Sequence, residues 1–430
     1  MTRCPTVAFA VLSSLHWAPL ILAATALTSC GILPDTALSE GTPSPSATAP
    51  VATPVPSDTD ASNSPIPPLP SPSPAGPSLS EACPDLSTEG SSGLPGALIL
   101  YANQVITIHR GTSANDLRVP LPQDTIVIAS DFPLTSPDAT RLALQEWQIR
   151  SEGGIKPARL SIIDASGRSV ATDWNGAWGD VIGWVSDSDI VLAPQDSTDP
   201  TMHKFDLSER AEEPLPLGLP DQALLGIDWY PQTRLPVAVL DGSGRFAVFY
   251  SVGDPEPGGS YVLWDLQTSQ AIWETDPSWG TLPTWDPQWQ TIALSMSPWP
   301  EGSEGPAAEV LVLSRDGHSQ TLTDFGGWYG GDDVQIGNVV WSPDSQRIAY
   351  YVGRRASPSE SFLFRLAITQ VAGGDTLVYC PLTDFRSRPH WSPEGRYLAI
   401  SNGVVIDTLE ETAYRVASDA EPIAWLKPDP

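Results

Sequence analysis

An imperfect internal repeat constrains the fold of this chain more than any other feature. Its core is a Trp followed by Ser-Pro or Asp-Pro, a short polar turn and an apolar run. Clear copies occupy residues 285–294, 341–350 and 391–400, and weaker ones 136–144, which lacks the Trp, and 184–192. A sixth copy begins near either Trp229 or Asp241, and the sequence leaves its register open. The tryptophans at 184, 229, 285, 341 and 391 are 45 to 56 residues apart, a period typical of stacked repeat architectures.

The composition of one repeat predicts a four-stranded sheet. The Trp ends an inner strand, the Pro-containing turn reverses the chain, and the apolar run forms the returning strand. Two further strands complete the unit, which closes on a Thr-Asp pair such as Thr323-Asp324. One such sheet cannot bury both of its faces alone, so the copies must stack radially. We therefore expect an all-β fold, a β-propeller of four-stranded blades.

The two ends of the repeat region predict how the ring closes. Residues 423–428 form an inner strand with no partner after it, and residues 97–101, 105–108 and 117–121 form three strands that lack an inner one. Together they make one blade shared between the N- and C-termini, which leaves no exposed edge. Six repeats and this shared blade predict seven blades. Six blades remain the alternative if a weak copy is not separate.

The motif Trp341-Ser-Pro-Asp, with its copy at Trp391, resembles the repeat of TolB-type β-propellers. The resemblance covers approximately residues 97–427 and implies the propeller fold. TolB has six blades, so the seven expected here depart from its pattern. Propeller peptidases carry a separate hydrolase domain, and no stretch of non-repeat sequence in this chain could house one.

The first 30 residues are typical of an export signal. A basic residue, Arg3, precedes an apolar run that ends in Leu-Thr-Ser-Cys at Cys30. These four residues resemble a bacterial lipobox, which implies cleavage before Cys30 and lipidation of its thiol. A permanent transmembrane anchor is the alternative, but the His, Trp and Pro within the run suit cleavage better. We expect a signal peptide at residues 1–29 and a lipid anchor on the extracytoplasmic face of the membrane.

A biased segment follows the lipobox. Residues 31–82 are mostly Pro, Ser, Thr and Ala and contain no Lys or Arg. Such a composition cannot bury a core and favours extended conformations. We therefore expect a disordered linker at residues 30–82 and the propeller domain at residues 83–430.

The charge of the chain limits its partners. It carries 51 acidic residues against 22 basic ones, a formal net charge of −29. Because such a surface repels phosphate backbones and anionic headgroups, we expect no nucleic-acid partner. Membrane association should come from the lipid alone. The expected partner is an envelope protein, peptide or glycan.

Two cysteines remain once Cys4 leaves with the signal and Cys30 is lipidated: Cys83 and Cys380. In an oxidising compartment they could form a disulfide joining the start of the folded domain to a late repeat. Sequence alone does not give the required geometry, so two free thiols remain the alternative.

Catalytic signatures are absent from the sequence. It has no Gly-x-Ser-x-Gly elbow, His-Glu-x-x-His motif, Cys-x-x-Cys pair or phosphate-binding Gly-rich loop. Aspartate pairs such as Asp332 and Asp333 lack the spacing of a calcium loop. His390 directly precedes a repeat Trp, which predicts a strand residue in a packed inner layer. We expect no catalytic residue, no metal and no cofactor.

One group of residues is a candidate binding surface. Several tryptophans lie outside the repeat positions, where we expect connections between blades on one face of the ring: Trp174, Trp178, Trp279 and Trp328. The Gly-rich segment 325–333 adds Tyr329, Asp332 and Asp333, and we expect it to be a mobile loop. Exposed aromatic rings beside carboxylates suit stacking on sugars or cation–π capture of a basic group. Packing of these rings over blade ends is the alternative.

These features favour a non-catalytic function. The leading hypothesis is an extracytoplasmic lipoprotein whose propeller binds a ligand or protein. The alternative is an envelope-glycan hydrolase or lyase that uses loop carboxylates, since paired carboxylates perform such chemistry when their pKa values differ. A purely structural role in an envelope complex is the third possibility.

Overall fold

The described residues of this computed structural model form a seven-bladed β-propeller. The structure describes residues 77–87, 93–127, 134–150, 155–173, 178–194, 202–215, 237–250, 261–275, 278–298, 308–330, 333–355, 357, 359–382 and 387–428. Within them lie seven sheets, each with a four-stranded antiparallel blade, and one short helix. The predicted all-β class and the count of seven blades are confirmed, and the six-blade alternative is wrong.

Blades 2 to 5 are each built from one stretch of chain with the innermost strand first. Blade 2 contains β6 (Thr125–Val127), β7 (Arg141–Ile149), β8 (Ile155–Asp164) and β9 (Ser169–Asp173). Blade 3 contains β10 (Trp178–Trp184), β11 (Asp189–Pro194), β12 (Met202–Asp206) and β13 (Ala211–Leu215). Blade 4 contains β14 (Val237–Leu240), β15 (Phe246–Tyr250), β16 (Tyr261–Asp265) and β17 (Gln270–Glu274). Blade 5 has an inner strand in two pieces, and contains β18 (Ser278–Gly280), β19 (Thr284–Trp285), β20 (Thr291–Pro298), β21 (Glu309–Ser314) and β22 (Ser319–Thr321).

The last two single-stretch blades follow the short helix α1 (Phe325–Tyr329). Blade 6 contains β23 (Asp333–Trp341), β24 (Arg347–Arg355), β25 (Leu363–Gln370) and β26 (Thr376–Tyr379). Blade 7 contains β27 (His390–Trp391), β28 (Tyr397–Ile400), β29 (Val404–Asp407) and β30 (Thr412–Arg415).

Blade 1 is the predicted blade shared between the two ends of the chain. Its innermost strand is β31 (Glu421–Leu426), followed by β3 (Ala97–Ala102), β4 (Val105–Arg110) and β5 (Thr112–Pro120). The pairing runs antiparallel from Ala97 opposite Leu426 to Tyr101 opposite Glu421. The ring is therefore closed by hydrogen bonds between strands more than 300 residues apart in sequence.

Residues 77–87 form an N-terminal strap along the outer edges of blades 6 and 7. Strand β1 (Leu79–Ala82) pairs in parallel with β26, and β2 (Leu86–Ser87) pairs in parallel with β30. Between them, Cys83 forms a disulfide with Cys380, with Cα atoms 4.8 Å apart. Strand β1 lies within the range predicted as linker. It pairs because residues 79–82 contain no Pro and because Ala82 is buried against blades 6 and 7.

The repeat tryptophans join neighbouring blades. The indole N–H of Trp341 in blade 6 donates a 2.9 Å hydrogen bond to the carbonyl of Thr284 in blade 5. Trp184 and Trp285 make the same bond to the preceding blade. Their rings are buried in apolar clusters that lie between blades, so the core is a series of inter-blade layers. The Trp of the motif is therefore a packing residue and a hydrogen-bond donor at once.

The residue after the Trp stabilises the turn. The Ser342 hydroxyl accepts a 2.9 Å hydrogen bond from the backbone N–H of Arg347, five residues later. In blade 4 the Asp241 carboxylate accepts a 2.9 Å bond from the N–H of Phe246, at the same spacing. This equivalence resolves the register of the sixth repeat, whose turn begins at Asp241. Trp229, the other option, lies outside the described residues.

The turn aspartates predict a loss of stability in acid. Burial by itself raises the pKa of Asp344, but hydrogen bonds from Ser342 and the Gln346 N–H, with the charge of Arg347, outweigh burial and hold it below its ordinary value. A carboxyl whose folded pKa is below its unfolded pKa of about 3.9 stabilises the fold above that pH, and the contribution disappears as the pH falls through the folded value. We expect the Tm to be flat from about pH 7 to pH 5 and to fall below about pH 4.

Thermal melts of an Asp344→Asn variant test this expectation. The variant should melt below the unmodified protein at neutral pH, and the two should converge in acid, where Asp344 is protonated in both the folded and the unfolded protein. Asn in place of the exposed Asp419 provides the matched control and should show little difference at any pH. A gap between Asp344→Asn and the unmodified protein that stays constant from neutral pH to pH 3 would contradict the interpretation.

Candidate functional site

One face of the ring carries the connections from the outermost strand of each blade to the innermost strand of the next. Helix α1 lies on such a connection, between β22 and β23. The pairing of Asp333 with Arg355 and of Arg354 with Leu363 places the end of β24 and the start of β25 on this same face of the ring. We call α1 together with these strand ends the entry-face patch. The Pro-containing repeat turns lie at the opposite ends of the strands.

Two of the predicted tryptophans lie in strands and not in connections. Trp178 begins β10 and pairs with Pro194, and Trp279 lies in β18 and pairs with Ser297. The prediction that they lie between blades is therefore wrong. The inner strands are longer than the repeat motif because the second strands β11 and β20 extend far enough to pair with them. Trp174 and Asp332 lie outside the described residues.

In the Gly-rich segment after β22, residues 325–329 form the helical turn α1, where composition alone predicts a loop. The Asp324 carboxylate caps α1 by accepting a 3.0 Å hydrogen bond from the Gly327 N–H, and Gly330 ends it with a φ of 65°. Phe325 is fully buried in the cluster between blades 5 and 6. An N-cap, a left-handed C-terminal glycine and a buried anchor together stabilise a turn that contains two glycines.

Glu309, the first residue of β21, fixes the start of α1 through hydrogen bonds. Its carboxylate accepts a 3.0 Å hydrogen bond from the Gly326 N–H and a second one from the Thr323 hydroxyl. The Thr323 hydroxyl in turn accepts a 2.9 Å bond from the Val310 N–H. The Thr of the Thr-Asp pair at the end of this repeat thus connects the segment between β22 and α1 to the third strand, β21.

Aromatic rings of α1 form a packed group on the face. Phe325 lies edge-to-face with Trp328 at 5.1 Å between ring centroids, and stacks on Tyr329 at 5.7 Å. Trp328 and Tyr329 are half-buried, so each packs against the core and keeps part of its ring accessible. Trp328 lies between two blades, as its sequence position predicts.

Arginines complete the patch, and sequence reasoning did not identify them. The Arg354 guanidinium carbon lies 4.7 Å from the centroid of the Tyr329 ring, and Arg354 is exposed. A cation at this distance over an aromatic ring is a cation–π pair. The available signal was the doublet Arg354-Arg355 at the end of an apolar run in a chain with only 22 basic residues.

The predicted site residue Asp333 is engaged in an ion pair. Its Oδ2 accepts a 2.6 Å hydrogen bond from Nε of Arg355, and the Arg355 guanidinium also lies 4.4 Å from the centroid of the Phe362 ring. Arg365 pairs at 3.0 Å with Glu81 of the N-terminal strap. The strap therefore contributes one acidic side chain beside the patch.

The accessible polar groups of the patch are hydrogen-bond donors. Burial raises the pKa of Tyr329, opposed in part by the charges of Arg365 and Arg354, so its phenol stays protonated at neutral pH. The surrounding carboxylates Glu309, Asp324 and Asp333 each accept from a backbone N–H, a hydroxyl or a guanidinium. The patch therefore offers accessible aromatic edges, a phenol and one exposed guanidinium, a combination suited to a carboxylate or a flat hydroxylated ring.

His390 lies in the innermost strand β27, as predicted. Burial, together with the neighbouring charge of Arg388, lowers its pKa to about 3, although a hydrogen bond with the Pro422 backbone opposes the shift. Its imidazole is therefore neutral across the physiological range. A histidine with so low a pKa is a poor general base at neutral pH, where catalysis favours a pKa near the working pH.

Two further observations concern metals and membranes. Across the described ranges, no group of three or more His, Cys, Asp and Glu side chains is arranged to hold a metal ion. The helical part of those ranges includes no segment long and apolar enough to cross a membrane. Cys30, the predicted lipidation site, lies outside the described residues.

Comparisons with known proteins identify no family for this chain. No family model and no curated protein matches the chain. TolB from Acinetobacter baumannii is 14% identical, with 83% of this chain and 98% of that chain covered and a TM-score of 0.42. An oligogalacturonate lyase in complex with manganese is 12% identical, with 76% and 86% covered and a TM-score of 0.48. The β-propeller domain of the Trilobed protease from Pyrococcus furiosus is 13% identical, with 66% and 78% covered and a TM-score of 0.39.

Proposed function

We propose that this chain is an extracytoplasmic lipoprotein, anchored through a lipid on Cys30, whose propeller binds a partner without chemical conversion. The entry-face patch is the proposed binding surface, with Trp328, Tyr329 and Arg354 as its contact residues. The partner is an envelope protein, peptide or glycan that presents a carboxylate or a flat hydroxylated ring to the patch.

The observation that carries this proposal is the rigid support of an aromatic and guanidinium surface. Phe325 of α1 is fully buried, and Glu309 and Asp324 accept hydrogen bonds from the backbone N–H groups at the start of the helix. Contact residues held in one conformation lose little entropy on binding, which favours affinity. Tyr and Arg are also the residue types enriched among energetically dominant interface contacts.

The hydrogen bonds and the ion pair that the nearby carboxylates make favour binding over catalysis. General acid–base chemistry on glycosides needs two carboxyl groups that can reach the substrate and exchange protons with it. In the patch, Asp324 and Glu309 accept hydrogen bonds from the backbone of α1, and Asp333 pairs with Arg355. These carboxylates serve to position other groups.

A capture experiment on envelope extracts tests the proposal. The bait is the mature chain, compared with an Arg354→Ala variant and with a Trp328→Ala variant checked for an unchanged far-ultraviolet spectrum. We expect each substitution to lower recovery of the partner about tenfold, the effect of losing about 1.4 kcal/mol at an interface.

Arg168→Ala is the matched control because its side chain is 81% exposed and lies on blade 2, at the opposite strand ends. It should recover the partner as the unmodified chain does. Equal recovery by Arg354→Ala, Trp328→Ala and the control would place the binding surface elsewhere. Turnover of an envelope glycan that an Asp333→Asn change abolishes would instead support the hydrolase or lyase alternative.

A further inference from the structure

The face of blade 6 next to α1 carries two neighbouring arginines at its entry-face end. Arg354 of β24 lies opposite Leu363 of β25, and Arg365 follows two residues later on β25. Opposite residues, and residues two apart on one strand, share a face of a sheet, so these three side chains project from the same face. The contact of Arg354 with the Tyr329 ring identifies it as the face next to α1. We call Arg354 and Arg365 the arginine pair.

The arginine pair is accessible to a partner. Arg354 is exposed, Leu363 is 52% exposed, and the side chain of Arg365 is 31% exposed. The segment from Arg354 to Arg365 contains three arginines and one acidic residue, Glu360, in a chain whose net charge is −29. This local excess of positive charge is complementary to an acidic partner.

The spacing of the arginine pair matches an extended peptide. Diagonal neighbours on adjacent antiparallel strands, such as Arg354 and Arg365, have Cα atoms about 7–8 Å apart. In an extended peptide every second side chain points the same way, at intervals of about 7 Å. Two carboxylates that are two residues apart in such a peptide therefore each reach one guanidinium. Leu363 lies beside both arginines and offers an aliphatic contact, which suits a peptide better than a hydroxylated glycan.

The N-terminal strap already supplies one carboxylate to the arginine pair. Glu81 lies in register with Val378 of β26, and its Oε1 is 3.0 Å from an Nη1 of Arg365. Burial raises the pKa of Tyr329, and the charges that act on it are those of Arg365, Arg354 and Glu81, so all three lie near its ring. The Glu81 side chain is 57% exposed, and an ion pair this exposed is weak. A partner's carboxylate can therefore replace Glu81 on Arg365.

We propose that the arginine pair recognises an acidic peptide segment of a partner protein, with carboxylates two residues apart in an extended conformation. Arg354 binds one carboxylate, and Arg365 binds the other in place of Glu81. The strap therefore lowers the affinity of the surface, because its carboxylate competes with the partner. This inference rests on the function proposed above, since it names the class of partner for the same surface.

Fluorescence anisotropy of a labelled synthetic peptide, with the detergent-solubilised mature chain, tests the proposal. The probe is a Thr-Glu repeat, and the control probe is a Thr-Gln repeat. At about 0.15 M salt the Debye length is about 8 Å, so most of the acidic surface is screened from the probe. We expect saturable binding of the Thr-Glu probe, weakened about fivefold by Arg354→Gln. Glu81→Gln should tighten binding about threefold, because it removes the competing carboxylate.

Glu410→Gln is the matched control. Glu410 is also exposed and pairs with an arginine, Arg396, at 2.9 Å, but it lies in blade 7 at the opposite strand ends. Its substitution should leave the affinity for the Thr-Glu probe unchanged. The inference is overturned if Glu81→Gln binds this probe no more tightly than the unmodified chain. It is equally overturned if the Thr-Gln probe binds as tightly as the Thr-Glu probe, since a gain in affinity and a dependence on charge cannot come from misfolding.

Two further measurements separate this inference from the proposed function. If the Thr-Glu probe does not bind, yet recovery of a partner from envelope extracts still depends on Arg354, the acidic peptide is wrong and the proposed binding surface stands. Binding of oligomannuronate, an acidic glycan, in place of the Thr-Glu probe would overturn the inference in the same way. Recovery that does not depend on Arg354 would overturn the proposed function, and this inference with it.

Discussion

Replacing Trp341 by Ala is expected to lower the free energy of unfolding by about 3–5 kcal/mol, the cost of truncating a buried Trp to Ala. The ring is 8% exposed and lies in the cluster between blades 5 and 6. Its removal leaves a cavity in an inter-blade layer and deprives the Thr284 carbonyl of its 2.9 Å donor. Because each blade contacts only its neighbours, this layer has no alternative partner with which to repack.

Two Phe variants separate packing from hydrogen bonding. Trp341→Phe and Trp391→Phe remove the same atoms from buried rings of the same motif. The indole N–H of Trp391, unlike that of Trp341, lacks a hydrogen-bond partner in the described structure. Trp341→Phe should therefore lose about 1 kcal/mol more than Trp391→Phe. Urea unfolding curves give these differences from their midpoints. Equal losses would show that the hydrogen bond to blade 5 contributes nothing.

Loss of the Cys83–Cys380 disulfide is expected to cost about 2–5 kcal/mol. The bridge joins residues 297 apart in sequence, so it restricts the unfolded chain strongly. It also holds the strap, because Cys83 follows the last residue of β1 and Cys380 follows the last residue of β26. Without it, the four paired residues of β1 must stay on blade 6 through hydrogen bonds and the burial of Ala82 alone.

A double-mutant cycle measures this contribution. Cys83→Ser, Cys380→Ser and the double variant should lose nearly the same stability, because either single change removes the whole bridge. A reducing agent should lower the urea midpoint of the unmodified chain and leave that of the double variant unchanged. Additive losses from the two single variants would show that the cysteines act independently of a bridge.

The propeller could be predicted because its information is local and repeated. Each clear copy contains a Trp that packs between blades, a Ser or Asp that bonds across the turn, and an apolar returning strand, as at Trp341, Ser342 and Ile348. The shared blade followed from unmatched strands at the two ends of the chain. Neither inference required information about the contacts between blades.

The features that escaped prediction depend on contacts between distant segments. Strand β1 follows a Pro-rich tract, and only its pairing with Thr376 to Tyr379 makes it a strand. The glycines around Phe325 and Trp328 favour an irregular loop, yet a buried ring and two carboxylates support a helical turn there. The cation–π pair of Arg354 with Tyr329 joins the end of β24 to helix α1, two segments that sequence spacing does not bring together.

The parallel pairing of β1 also determines how the domain would respond to a mechanical load. A pull directed along the axis of β1 loads the hydrogen bonds to β26 together in shear and does not peel them apart one at a time. Any force that passes this strand reaches Cys83 and enters blade 6 through Cys380. The load is thereby diverted before it arrives at β2, β3 and the closure between Ala97 and Leu426. The ring would be shielded from tension where non-covalent contacts between the two ends of the chain close it.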